Sequence, residues 1–276
     1  MTIPFIKMHG LGNDYVYIDC FPAETAKVIA KTDLSSLARR VSDRHTGIGS
    51  DGLVLILPSQ EADAMMRIFN ADGSEAKMCG NAIRCVGKYL YESGLCVRTR
   101  LFIETLSGVR TLTLDAVDGR VKEVTVNMGM PRIQPDALMR GTDPMGFTAV
   151  DMGNPHAVFF RDTVVSDAEL AVEGQRISTH PHFAAGTNVE FVRVLNEDEL
   201  DVRVWERGSG ITMACGTGAC AAAVAAIQNG WTNRVVTVHL PGGDLQIRWG
   251  HDTLPVYMTG TATEVFRGEI PLTSYE

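Results

Sequence analysis

The stretch Met78-Cys79-Gly80-Asn81-Ala82-Ile83-Arg84-Cys85 has a counterpart 136 positions further on, Ala214-Cys215-Gly216-Thr217-Gly218-Ala219-Cys220. The likeness continues outward on both sides. Arg67-Ile68-Phe69-Asn70 ends nine residues before Cys79, and Arg203-Val204-Trp205-Glu206 ends nine residues before Cys215. At the same spacing, Arg40-Val41-Ser42 matches Arg176-Ile177-Ser178, and Ser93-Gly94 matches Asn229-Gly230. With small slips, Gly12-Asn13 answers Gly153-Asn154, and Gly49-Ser50-Asp51 answers Gly186-Thr187-Asn188. One pair would mean little, but a shared order at a near-constant offset identifies an internal repeat. The chain reads as two related halves with one Cys-Gly motif in each.

Each half implies the same local structure. Met66 and Ile68, and likewise Val202 and Val204, alternate with the period of a strand that runs into a Gly-rich loop. Cys-Gly then opens a helix. In the first half Ile83, Val86 and Leu90 recur at helical spacing until Ser93-Gly94 stops them. In the second, Ala219 to Ile227 is apolar all round and predicts a helix buried on every side, ended by Asn229-Gly230. Alternating strands follow: Leu112/Leu114 and Val124/Val126/Met128, then Leu245/Ile247/Trp249 and Val256/Met258. The expected fold is α/β (α+β), two pseudo-symmetric halves, each a strand-rich, barrel-like sheet wrapped around a central buried helix. The expected boundaries are 1–130 for the half with Cys79 and 131–263 for the half with Cys215. A C-terminal strand at about 264–276 is expected to pack back onto the first half, and the proline-bearing stretch from Met130 to Pro144 is expected to connect the two.

Composition narrows the function classes. The 276 residues are 45% hydrophobic and 21% charged, as in ordinary globular proteins. A net charge of −8 argues against a surface that tracks nucleic-acid phosphates. The opening residues, with Pro4, Lys7 and His9, do not form a signal peptide. The longest apolar run, near Gly218 to Ile227, falls well short of the roughly 20 residues that span a bilayer. A cytoplasmic protein without nucleic-acid or membrane partners is expected. Six cysteines, at 20, 79, 85, 96, 215 and 220, are too few for a disulfide scaffold and form no CxxC pair. His180 and His182 flank Pro181 without a carboxylate or Cys to complete a metal set, so no metal is expected.

A lone cysteine at a helix start is usually a small buried hydrophobe. Two at matched positions point to chemistry. The first N–H groups of a helix lack intrahelical partners, and the dipole adds partial positive charge. Such settings lower a thiol pKa from about 8.5 to roughly 3.5–7.5. The glycine after each cysteine permits close backbone approach, so Gly80, Asn81, Gly216 and Thr217 could together bind a carboxylate whose charge grows as the α-carbon loses a proton. Inverting a stereocentre needs a base on one face and an acid on the other, and a duplicated half with one thiol each supplies both. Cys79 and Cys215 are therefore the expected catalytic pair, with no cofactor. A pyridoxal enzyme would need a Lys in a Schiff-base setting. Lys77 and Lys88, the nearest candidates, read as exposed.

Six further segments, together with the two Cys-Gly segments, carry a resemblance. They are His9-Gly10-Leu11-Gly12-Asn13-Asp14-Tyr15, Arg44 with Thr46-Gly47-Ile48-Gly49-Ser50-Asp51-Gly52, Phe69-Asn70-Ala71-Asp72-Gly73-Ser74-Glu75, Gly153-Asn154-Pro155-His156, Gly186-Thr187-Asn188-Val189, and Trp205-Glu206-Arg207-Gly208. Over nearly its whole length the chain resembles the diaminopimelate epimerase family. That resemblance implies interconversion of LL- and meso-2,6-diaminopimelate, toward lysine and peptidoglycan precursors. It implies that Asn70, Asn154, Asn188 and Arg207 hold the distal end of the substrate, and that Asn13 and the backbone after each cysteine hold the reacting end. His156 and Glu206 would tune the thiols, with Glu206 also near substrate. Some family members carry a substrate-contacting Gln where this chain has Gly52, which leaves at most a backbone contact. The family pairs as a homodimer through an aromatic near the C-terminus, where Phe266 stands in place of a common Tyr.

Three other readings use the same residues. A proline or hydroxyproline racemase would also need two cysteines but has less use for Arg207 and Asn188. A redox switch would join Cys79 and Cys215 in a disulfide, and a binding module would hold the amino acid without turnover.

Overall fold

The computed structural model describes residues 2–134 and 146–271. The middle of the expected connector and the end of the expected C-terminal strand lie outside the described residues. The chain divides into two compact units, one formed by the described residues of Met1–Val126 and Thr261–Glu276, the other by those of Asn127–Gly260.

In the first unit, strand Thr2–Gly10 pairs antiparallel with both Thr263–Pro271 and Asn13–Asp19. Asn13–Asp19 runs parallel to Gly52–Leu57, which is antiparallel to Ala64–Asn70. Ala64–Asn70 in turn lies parallel to Arg100–Glu104, from which Arg110–Val117 and Arg120–Gly129 continue antiparallel. The second unit repeats these joins in the same order. Thr148–Asp151 is antiparallel to Pro155–Phe160, which is parallel to Asn188–Asn196. Asn188–Asn196 is antiparallel to Glu199–Glu206, itself parallel to Val235–Leu240, with Gly243–Arg248 and Val256–Gly260 following antiparallel. The repeat seen in the Cys-Gly motifs is thus a repeat of strand topology.

Parallel neighbours need a crossover, commonly a helix, and each unit makes two such crossovers. The later crossover carries the expected helix: Gly80–Glu92 in one unit and Gly216–Gln228 in the other. Gly94 and Gly230 end them with φ of 77° and 72°, backbone that only glycine adopts without strain. All of Gly216–Gln228 is buried except Thr217 and Gln228, and it packs against every main strand of its unit from Thr148–Asp151 to Val256–Gly260. Its alanines keep the cylinder thin enough for strands to surround it. In the first unit Gly87 does the same locally, since a Cβ there would lie 2.7 Å from Leu112 Cδ2.

The earlier crossovers carry helices beyond those expected from the Cys-Gly motifs. Ala23–Ile29 and Leu34–Ser42 cover the outer face of the first sheet, where Leu37, Ala38 and Val41 pack against Val16, Ile18, Leu53 and Leu55. Asp33 starts the second of them by accepting the Ser36 N–H at 3.3 Å. In the other unit the corresponding span is three short helical segments, Asp167–Glu169, Leu170–Gly174 and Gln175–Ser178. Leu34, Leu37, Ala38 and Val41 fall at i, i+3, i+4 and i+7, the apolar stripe of an amphipathic helix, while the seven residues of Ala23–Ile29 are too few to show one. Trp249, grouped with Leu245 and Ile247, lies just past the end of their strand, where its indole N–H donates to the Leu254 carbonyl at 3.0 Å.

Candidate active site

In the first unit Cys79 caps the Gly80–Glu92 helix with extended backbone, φ −138° and ψ 121°. Its thiol lies 3.5 Å from Asn13 Oδ1, which also receives the Asn81 side-chain amide at 3.3 Å. Asn13 sits at the start of its strand, directly after a tight turn in which Gly12 takes φ 81°. Behind it is a charged network without an assigned role in the sequence reading. Asn13 Nδ2 donates to Asp51 at 2.8 Å, Arg44 bridges Asp51 and Asp14, and buried Lys7 pairs with Asp14 at 2.5 Å. Burial pushes the Asp14 carboxyl up, but Arg44 and Lys7 together hold it below its usual range. Burial raises Asp51, with the Asp14 charge adding to the rise. Asn70, at the end of Ala64–Asn70, donates to the Ser74 hydroxyl at 3.0 Å.

In the second unit Cys215 caps Gly216–Gln228 with φ −115° and ψ 110°, and its sulfur accepts the Gly218 N–H at 3.4 Å. The Thr217 hydroxyl is 3.5 Å away and receives the Asn154 amide at 3.3 Å. Asn154 Oδ1 faces His156 Nε2 at 3.1 Å, while His156 Nδ1 meets Glu190 Oε1 at 2.7 Å. Glu206 lies close to Cys215 and accepts the Thr212 hydroxyl at 2.6 Å. Burial raises the Glu206 carboxyl above its usual range. The thiol of Cys215 departs from the expectation of a lowered pKa. Burial, then the charges of Glu206 and Glu190, push it well up, and the Thr217 hydroxyl and Gly218 N–H oppose them without prevailing. The helix start acts in the expected direction but is outweighed by desolvation and two acids.

Asn188 is buried and ties two segments together: its Nδ2 donates to the Pro155 carbonyl at 3.0 Å and its Oδ1 accepts the Arg207 N–H at 2.9 Å. The exposed Arg207 side chain donates to the Ala185 carbonyl at 2.8 Å and borders an open cavity of about 510 Å³ shared with Ser178, Phe183, Gly186 and Trp205. Gly52 is walled in, as a Cβ would lie 2.1 Å from the Phe69 carbonyl oxygen. Phe266 is 46% exposed on strand Thr263–Pro271 and meets Phe5 edge-on, ring centres 5.8 Å apart. Lys88 is not exposed as its sequence context suggests. Its side chain is covered and pairs with Glu92 at 2.7 Å one helical turn on. Lys77 is exposed. Cys85 and Cys220 are fully buried core residues. His182 N–H donates to His180 Nδ1 at 3.2 Å, and no cluster of three or more metal-ligating side chains forms among the described residues. Nor is any described helix long and apolar enough to cross a membrane.

The two repeated strand-rich halves form a mixed α/β architecture that recurs in solved structures of other names. A phenazine biosynthesis protein of the PhzF family from Bacillus anthracis superposes with a TM-score of 0.75 at 15% identity, covering 98% of this chain and 99% of that one. A probable proline racemase from Agrobacterium radiobacter gives 0.72 at 19% identity, covering 98% and 93%. These likenesses define the fold. Within it, a family model described as diaminopimelate epimerase matches residues 5–134 and 148–265. The diaminopimelate epimerase of Moorella thermoacetica is 52% identical over 97% of this chain and 99% of its own length. The chain belongs to the diaminopimelate epimerase family.

Proposed function

We propose that the protein interconverts LL- and meso-2,6-diaminopimelate without a cofactor, as an isomerase on the route to lysine and peptidoglycan precursors. The observation that carries this reading is the repeated placement of a cysteine at a helix N-cap, in two units of matching strand order, within a chain of this family. Cys79 and Cys215 serve opposite faces of one α-carbon. One begins as thiolate and removes the proton; the other begins as thiol and returns one. The reverse reaction exchanges their roles. The amides of Gly80, Asn81, Gly216 and Thr217 take the reacting carboxylate, and Asn13 positions it beside Cys79. Asn70, Asn154, Asn188 and Arg207 select the distal amino-acid end. The Arg207 guanidinium, beside a cavity open to solvent, suits a carboxylate. Glu206 and His156 set the electrostatics around Cys215. The working form is a cytoplasmic homodimer, to which the exposed ring of Phe266 on strand Thr263–Pro271 contributes an apolar contact.

Proton NMR of the reduced protein with LL-diaminopimelate in D₂O tests the reaction. Deuterium should enter one α-position as the meso isomer appears. Exchange with proline but not with diaminopimelate would reassign the protein to the racemase group. Silence with both, alongside tight binding, would make it a binding module.

A further inference from the structure

Glu190 stands fully buried in strand Asn188–Asn196, opposite Val158 of the parallel strand that carries His156. Its neighbours Val189 and Phe191 face an apolar cluster with Phe159 and Leu170. Glu190 projects the other way, toward the start of the Gly216–Gln228 helix. A Cβ placed on Gly218 would sit 2.8 Å from Glu190 Oε1 and 3.3 Å from Cys215 Sγ, so acid and thiol flank one glycine.

As a purely structural residue this glutamate is a poor choice. Removing a carboxylate from water costs several kcal/mol, and good geometry on both oxygens is needed to recover it. Here only Oε1 has a partner, His156 Nδ1 at 2.7 Å, and Oε2 meets no hydrogen-bond partner among the described residues. A leucine or glutamine would fill the space at less cost. Locally unfavourable groups of this kind gather where function requires them.

The connection runs outward from Glu190 to the sulfur. Its carboxylate faces His156 Nδ1, His156 Nε2 faces Asn154 Oδ1 at 3.1 Å, and Asn154 Nδ2 donates to Thr217 Oγ1 at 3.3 Å. Thr217 Oγ1 then lies 3.5 Å from Cys215 Sγ. The first link sets a carboxyl acceptor against Nδ1–H, and Asn154 Oδ1, also an acceptor, takes the Nε2–H, so the ring is held at both nitrogens and its orientation is set. Each later link inherits its geometry from that ring.

Resting on the epimerase reading above, we propose that Glu190 is a positioning residue for the reaction. It holds the His156 ring in place through its Nδ1–H and, by way of Asn154 and Thr217, keeps Cys215 aligned with the reacting carbon. It touches no substrate itself. Its loss should therefore slow turnover and leave substrate affinity in place.

The experiment compares wild type, Glu190→Gln and Glu190→Asp by steady-state kinetics with diaminopimelate and by long-range ¹H–¹⁵N spectra of protein labelled at histidine. For Glu190→Gln, kcat should fall roughly 10- to 100-fold with KM within about twofold, the scale of losses when a partner behind a functional His is removed. The His156 Nδ1–H signal should be present in wild type and shifted or lost in Glu190→Gln. Glu190→Asp, which keeps the charge, should recover part of both. A folded Glu190→Gln with wild-type kcat and an unchanged His156 spectrum would overturn the proposal. So would a wild-type spectrum with His156 protonated on Nε2 alone, which needs no variant to fold. A wild type that does not turn over diaminopimelate would count against the epimerase reading, while the His156 spectra would still decide the Glu190–His156 link.

Discussion

Asn13 gives its side-chain amide to Asp51 at 2.8 Å and thereby turns its carbonyl oxygen toward Cys79, 3.5 Å from the sulfur. An amide that donates at one end must present its oxygen at the other, so Asp51 decides which face of Asn13 the thiol meets. Asn13→Ala should lower kcat by roughly 10- to 100-fold, within the range set by positioned proton-transfer partners, with little change in melting temperature. Asp51→Ala should lower kcat similarly and also cost about 1–3 kcal/mol, because the Asp14 N–H loses its acceptor and Arg44 one of its two carboxylates. Kinetics and chemical denaturation of both variants check this. Wild-type kcat in both would remove Asn13 from the reaction.

The two-thiol mechanism makes a separate demand on each half. Cys79→Ser and Cys215→Ser should each reduce epimerisation by at least about 1000-fold, since a hydroxyl is a far weaker base at neutral pH. Gly218→Ala is a subtler probe, because its methyl would crowd both Glu190 and Cys215. It should impair turnover while Ala at exposed Gly250, which meets nothing within 4 Å, does not. Deuterium incorporation from D₂O measures all four. Near wild-type turnover in both serine variants would sink the scheme.

What could be read from the sequence was local. Cys79 and Cys215 announce themselves because a helix start, its Cys-Gly and its closing Gly all fall within sixteen residues of one another and then recur. Glu190 does not. An acid in an alternating strand normally marks a solvent face, but Asn188–Asn196 is buried on both faces near its start, so alternation carries no inside or outside there. The available signal was a single acid inside the apolar run Val189-Glu190-Phe191-Val192, next to the already singled-out Asn188. Asp51 and Arg44 lay within quoted motifs, yet only the fold shows them acting on Asn13. The high setting of Cys215 was hidden for a similar reason: the helix start is a property of the segment, while Glu206 and Glu190 arrive from other strands.

Gly52 offers a test of packing. Its strand lies against Ala64–Asn70 so closely that Gly52→Ala would place a methyl 2.1 Å from the Phe69 carbonyl oxygen. The strands must part to admit it, at a cost of about 1–3 kcal/mol typical of overpacking. Urea denaturation should show a lower midpoint with an unchanged slope. Gly52→Gln should be no better, since a longer side chain meets the same carbonyl first. A variant as stable as wild type would mean that the strand pair yields more easily than its spacing implies.

Buried thiols also set an alkaline limit on stability. Burial raises Cys85 from 9.0 to about 11 and Cys20 to about 12. For such a group the folded state holds its proton more tightly than the unfolded chain does. The stabilisation is complete below the unfolded pKa near 9 and is lost as pH rises toward the folded value. Each group should cost about 1.4 kcal/mol per pH unit between those limits. Melting temperature should therefore be flat near neutrality and fall steeply between pH 9 and 11, with a gentler fall in Cys85→Ala once its own cavity cost is subtracted. A flat profile through pH 11 would show that these thiols reach water on a local opening.

Cys215 provides the sharpest pH test, because its surroundings can be edited one charge at a time. Burial first, then Glu206 and Glu190, hold it above an ordinary thiol, while Thr217 and the Gly218 N–H pull the other way and His156 stands behind Glu190. Only the thiolate alkylates, so in a Cys79→Ser background the rate of iodoacetamide reaction at Cys215 should rise with pH through a midpoint above 9. Glu206→Gln removes a negative neighbour and so favours the thiolate. Its midpoint must move down, and alkylation at pH 8 must speed up. A midpoint that stayed put would mean that burial alone sets this thiol. A midpoint that moved up would mean that Glu206 favours the thiolate rather than opposing it, and the electrostatic account of this cysteine would fall.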